Sequence, residues 1–84
     1  MSEAEVLKAV AEWLQEHQDI SPERVKMDAS IAEDLHLDSL DNVEVVMAIE
    51  EMFHVEVDDL IAGKWKTVGD IVHYLLLHPV AADP

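Results

Sequence analysis

From Leu40 to Phe53 the chain contains neither glycine nor proline, and apolar residues recur among acidic ones at helical spacing. A run of that length and period commits the segment to a helix. Asp38 precedes it as a good N-cap residue, and Asp41 falls in the first turn, where a carboxylate suits the dipole. Ser39 then occupies the first helical position, beside backbone N–H groups without intrahelical partners. A hydroxyl so placed is open to solvent and within reach of another protein. The positive helix end also tolerates an attached phosphate. That is the setting of a modification site rather than of a core residue.

The same helix carries more apolar residues than one face needs, since a core-facing stripe takes about three positions in seven. At about 100° per residue, Val45, Val46, Ile49, Met52 and Phe53 cluster on one side. Leu40, Val43 and Met47 cluster on another, among Asp41, Glu44, Glu50 and Glu51. The first stripe is expected in the core. The second is expected to be an apolar docking strip ringed by carboxylates, with methionine adapting to different partners. The alternative is that Val43 and Met47 pack beneath a neighbouring loop.

The rest of the chain reads as further helices. Ser2 with Glu5 forms a capping box, and Val6, Ala9, Val10, Trp13 and Leu14 follow at helical spacing, to an end near His17. Ile20 to Leu37 is a long connection, punctuated by Ser21-Pro22 as a cap and by Ser30 with Glu33 as another possible box. Such a connection is acceptable in a compact domain because Ile20, Val25, Met27, Ile31, Leu35 and Leu37 can pin it down. A short helix is expected from Asp58 or Asp59 to Ala62, closed by Gly63. Thr67 with Asp70 opens a last helix through Ile71, Val72, Leu75 and Leu76, which Pro79 stops. The expected fold is an all-α bundle of three longer helices and one short, forming one domain over residues 1–79. The tail over residues 80–84 is expected to be disordered.

Charge narrows the function. Nineteen acidic residues face five basic ones, for a net charge of −14. No Lys or Arg lies between Met27 and Gly63; Lys8, Arg24, Lys26, Lys64 and Lys66 all fall outside that window. Nucleic acid is excluded as a direct ligand and an anionic membrane disfavoured, because this window cannot neutralise phosphates. Basic protein surfaces are the natural partners, although the charge could serve solubility alone. There is no cysteine, so there is no disulfide framework and no intrinsic thiol chemistry. With no membrane-length apolar stretch and no basic-then-apolar leader, a cytoplasmic monomer is expected.

The run Asp38-Ser39-Leu40-Asp41, followed by Val43 to Phe53, resembles the acyl carrier protein family. Thr67-Val68-Gly69-Asp70-Ile71-Val72-His73-Tyr74 resembles the start of that family's last helix, and a weaker likeness extends over nearly the whole chain. The resemblance implies that Ser39 receives 4'-phosphopantetheine from coenzyme A through a phosphopantetheinyl transferase. It implies a carrier of acyl thioesters rather than an enzyme, used by ketosynthases, acyltransferases or related acyl-transfer enzymes. Asp38 would then either approach the transferase's Mg²⁺ or hold the helix start. Acyl chains of the family are shielded between helices, and Val46, Ile49, Phe53, Ile61, Ala62, Val68, Ile71 and Val72 are the candidates to line such a space, or are simply core. With Asp38 and Asp41 beside it, the phosphodiester is expected to be tethered rather than gripped.

Other chemistries fare worse. A triad of Ser39, His36 and Asp38 lacks an oxyanion hole and substrate cleft in so short a helical chain. His17, His36, His54, His73 and His78 show no metal-ligand spacing, and the acidic window lacks the glycine and spaced ligands of an EF-hand. His36 stands where many members have glycine, and histidine tolerates positive φ. The stretch Val57 to Lys66 lacks the proline and Glu-rich third helix usual in fatty-acid synthase carriers, and Trp65 there is unusual. The pathway therefore stays open between housekeeping fatty-acid synthesis and a specialised lipid or polyketide route. An aminoacyl or peptidyl carrier and an unmodified acidic adaptor remain the alternatives.

Overall fold

The computed structural model describes residues 2–77, so Pro79 as a helix stop and the tail beyond Val80 lie outside the described residues. Four α-helices follow in order: α1 (Glu3–Gln18), α2 (Ser39–Phe53), α3 (Asp59–Ala62) and α4 (Val68–Leu77). The all-α class, the unequal helix lengths and the long gap after α1 are as the pattern predicts. A 3-10 turn, Pro22–Arg24, lies within that gap. Among the described residues there is no strand, only an isolated antiparallel bridge between Ser30 and Thr67.

Local side-chain bonds set most helix ends. Glu5 N–H donates to Ser2 Oγ at 3.2 Å, and Ser2 N–H to Glu5 Oε1 at 2.8 Å. At α4, Asp70 Oδ2 accepts from Lys66 N–H at 2.8 Å and from Thr67 N–H at 3.1 Å, and these bonds, Lys66 first, hold its carboxyl below the usual range. Asp58 caps α3 by accepting from Leu60 N–H. Gly63 does close α3, but in the right-handed region at φ −66°, because the chain runs on through the turn at Lys64 instead of reversing.

Two caps in the long loop differ from expectation. Ser21 makes no side-chain bond to the 3-10 turn, so Pro22 supplies the dihedral alone. Ser30 Oγ does accept from Glu33 N–H, at 3.1 Å, but the reciprocal carboxylate is that of Asp34, at 2.6 Å from Ser30 N. A tight turn results rather than a helix, and it delivers Leu35 and Leu37 into the core.

The core joins α1, α2 and α4, with Leu14, Ile49, Val6, Val10, Val68 and Val72 essentially sealed from solvent. The loop is pinned as anticipated through Ile20, Val25, Ile31, Leu35 and Leu37, with Ala29 added and Met27 half-buried. Its backbone is held too. Ile31 N–H donates to Lys66 O, Val68 N–H to Ala29 O, and Gly69 N–H to Met27 O at 2.7 Å. A Cβ on Gly69 would sit 2.7 Å from that same Met27 oxygen, so only glycine allows the approach. Met52 is a correction: the helical wheel puts it in the core, yet it is 39% exposed and borders a groove shared with Trp13. Phe53 seals that end of α2 instead.

Candidate functional site

The entrance to α2 is built by three consecutive local choices. His36 adopts a left-handed φ of 56°, the conformation glycine would supply, and turns the chain. Leu37 is buried and donates its N–H to Ile31 O, anchoring the turn. Asp38 is extended at φ −92° and caps the helix reciprocally: Asp41 N–H to Asp38 Oδ1 at 2.9 Å, Asp38 N–H to Asp41 Oδ2 at 3.2 Å. The bond from Asp41 N–H, above all, holds the Asp38 carboxyl below the ordinary carboxylate range. Ser39 follows, exposed, at the first helical position.

The two faces of α2 separate. Val45, Val46, Ile49 and Phe53 are buried, whereas Leu40, Val43 and Met47 are 77%, 55% and 62% exposed. These three do not pack beneath the loop. The acidic rim is narrower than the sequence suggests. Glu50 is half-buried and its Oε2 accepts from Val57 N–H at 2.9 Å, so it braces the chain after α2. Asp41 is half-buried in the capping box. Glu44 is exposed and takes a bond from Gln18 Nε2 at 2.9 Å, while Glu51 is exposed.

The interhelical candidates divide as well. Ile49, Phe53, Val68, Ile71 and Val72 belong to the main core, while Val46 and Ala62 form a second cluster with Val57, flanked by Val55, Trp65 and Tyr74. Ile61 is 38% exposed and faces outward, since α3 is a single turn with Ala62 as its buried residue.

A chain this short does have a cleft, contrary to expectation. It measures about 440 Å³ and opens beside Ser39, between the end of the long loop, the first turns of α2 and the segment joining α3 to α4. Ile31, Leu37, Ser39, Asn42, Trp65 and Lys66 are among its walls, and none of the eight interhelical candidates is. Sequence reasoning misses Asn42 and Trp65 as site residues. Asn42 shares the helical face of Val45, Val46, Ile49 and Phe53, so a polar residue there is the signal that could find it. The side-chain oxygen of Asn42 is buried and has no hydrogen-bond partner. No group of three or more His, Asp or Glu side chains among the described residues could hold a metal ion. Among those residues, too, no helix is long and apolar enough to cross a membrane.

Comparison with known proteins finds relatives over most of the chain. The phosphopantetheine attachment site family matches residues 4–75. The chain is 44% identical over 75 residues to the acyl carrier protein of Thermosynechococcus vestitus, covering 89% of this chain and 93% of that one. It is 47% identical over 72 residues to the acyl carrier protein of Phenylobacterium zucineum, covering 86% and 91%. The acyl carrier protein of Caulobacter vibrioides is 46% identical over 72 residues, covering 86% and 92%.

Proposed function

Because the chain belongs to the phosphopantetheine attachment family, whose members carry groups rather than transform them, we propose that Ser39 bears the 4'-phosphopantetheine arm. The observation that supports it is the exposed Ser39 hydroxyl at the head of α2, with the neighbouring carboxylates already committed to capping. In the loading step the Ser39 oxygen bonds to the phosphorus that carries the pantetheine in coenzyme A. Adenosine 3',5'-bisphosphate leaves, and the serine proton passes to a base on the transferase. The arm then supplies the thiol that this cysteine-free chain lacks.

Acyl groups held as thioesters on that thiol are delivered to enzymes of fatty-acid, specialised lipid or polyketide synthesis, in the cytoplasm, where coenzyme A is at hand. Leu40, Val43 and Met47 form the docking strip, with Glu44 and Glu51 as its anionic rim toward basic enzyme surfaces. Asp38 serves the transferase chiefly by holding the helix start that presents Ser39. Incubation with coenzyme A and a broad-specificity phosphopantetheinyl transferase, followed by intact mass measurement, tests the proposal. One added phosphopantetheine is expected on the wild type and none on Ser39→Ala. No addition to the wild type would leave an acidic adaptor that merely docks.

A further inference from the structure

Asn42, which lines the cleft beside Ser39, carries a side-chain oxygen with no partner. Asn42 donates its backbone N–H to Asp38 O as part of α2, but its side-chain oxygen is buried unpaired. A buried oxygen without a partner is costly, and among the described residues no other buried side-chain nitrogen or oxygen lacks one. Oxygen and nitrogen of an asparagine amide are interchangeable in shape. Turned toward the cleft, either end of the Asn42 amide would be satisfied by a ligand amide, because an amide offers both a donor and an acceptor.

The surrounding walls match a ligand that alternates amides with short hydrocarbon. Ile31 and Leu37 present apolar surface from the loop. Trp65 is half-buried, packs on the Val46–Val57–Ala62 cluster and meets Tyr74 edge-on, with ring centroids 5.6 Å apart. Lys66 adds a cation to the lining, alongside the carboxylates of Glu33 and Asp38. At about 440 Å³ the cleft falls within the usual range of small-molecule sites.

We propose that this cleft is a seat for the arm borne by Ser39 itself. A pantetheine amide pairs with the Asn42 side chain, turned toward the cleft to meet it, and the arm's hydrocarbon lies against Trp65, Ile31 and Leu37. The seat presupposes Ser39 as the attachment point. Because Ser39 lines the cleft, the arm is held at high effective concentration and needs little intrinsic affinity to occupy it. The arm of this protein is then docked rather than free, contrary to what the carboxylates beside Ser39 suggest, and enzymes must draw it out.

The test uses apo and holo protein, with conversion verified by intact mass. In a Trp13→Phe background Trp65 is the sole indole, and acrylamide quenching reports its exposure. Nitrogen-15 spectra report the Asn42 side-chain amide. Loading should lower the quenching of Trp65 and shift the Asn42 side-chain resonances, while Asn42→Leu, once its loading is verified by intact mass, should lose the quenching difference. Asn42→Leu should also raise the apo melting temperature by removing the orphaned group, which separates loss of the seat from loss of the fold. A fully loaded protein with Trp65 and Asn42 signals unchanged would overturn the seat and leave the attachment site standing. So would a loaded Asn42→Leu protein that keeps the full quenching difference. Failure to load at all would overturn both.

Discussion

Gly69→Ala is the most informative perturbation of the fold. The added Cβ would lie 2.7 Å from the Met27 carbonyl oxygen, where contacts under 3.0 Å essentially never occur. The obstacle is backbone, so no side-chain rotation relieves it. The 2.7 Å bond from Gly69 N–H to Met27 O must stretch or break, at a net cost of about 0.5–1.5 kcal/mol. Displacing the packed loop adds about 1–3 kcal/mol, as overpacking does elsewhere. Alanine returns at most about 1 kcal/mol of helix propensity. The net loss is about 0.5–4.5 kcal/mol, against a total of roughly 4–13 kcal/mol for a domain this size. Urea titration and thermal melting by far-UV circular dichroism measure it. The midpoint should fall by at least about 2 °C and by as much as about 30 °C, with an unchanged urea slope. Gly63→Ala is the internal control, since its Cβ would sit at 3.3 Å from Asp59 O within α3, and its effect should be much smaller. A Gly69→Ala protein as stable as wild type would refute the clasp between α4 and the loop.

Asp38→Ala should destabilise the protein at neutral pH, and the deficit should shrink on acidification. The folded Asp38 carboxyl is depressed, so its contribution is complete above the ordinary carboxylate value and vanishes as pH falls through the lowered one. Paired urea titrations over that range check this, and a pH-independent deficit would contradict it. Met47→Glu should leave stability within about 0.5 kcal/mol, because the side chain is 62% exposed. It should lower a transferase's kcat/KM for this carrier about tenfold by losing apolar contact, and an unchanged value would remove Met47 from the docking strip. Mg²⁺, Ca²⁺ or added salt should raise the melting temperature by relieving the self-repulsion of a −14 chain; an unchanged midpoint would contradict that.

What is legible in the sequence is what is local. Asp38 with Asp41 and Ser2 with Glu5 find their partners three residues away, and the α2 stripe needs only its own period. The long-range ties carry no such mark. The bond between Gly69 and Met27 joins two backbones, and the glycine reveals its role only once the loop is seen against it. Glu50 and Met52 are misplaced by sequence reasoning for a related reason. A helical wheel knows neither that Val57 returns to use a carboxylate nor that α1 leaves a groove beside Trp13. Asn42 is the readable exception: a polar residue on an apolar face announces an unmet requirement, although not its ligand.

The long loop is therefore part of the site rather than a link between helices. Its backbone is fastened to the start of α4 through Met27, Ala29 and Ile31, and its far end delivers Leu37 and His36 to the head of α2. The segment that holds it, Lys66 to Gly69, also follows directly on Trp65, which lines the cleft as well. Loosening the clasp at Gly69 should then reach the surroundings of Ser39 by two routes, the loop and the Trp65 segment, as well as lowering stability. Met47 lies on the outer face of α2, where a change alters what a partner meets and leaves the cleft intact. The two substitutions thus test the proposed seat for the arm and the proposed docking strip separately.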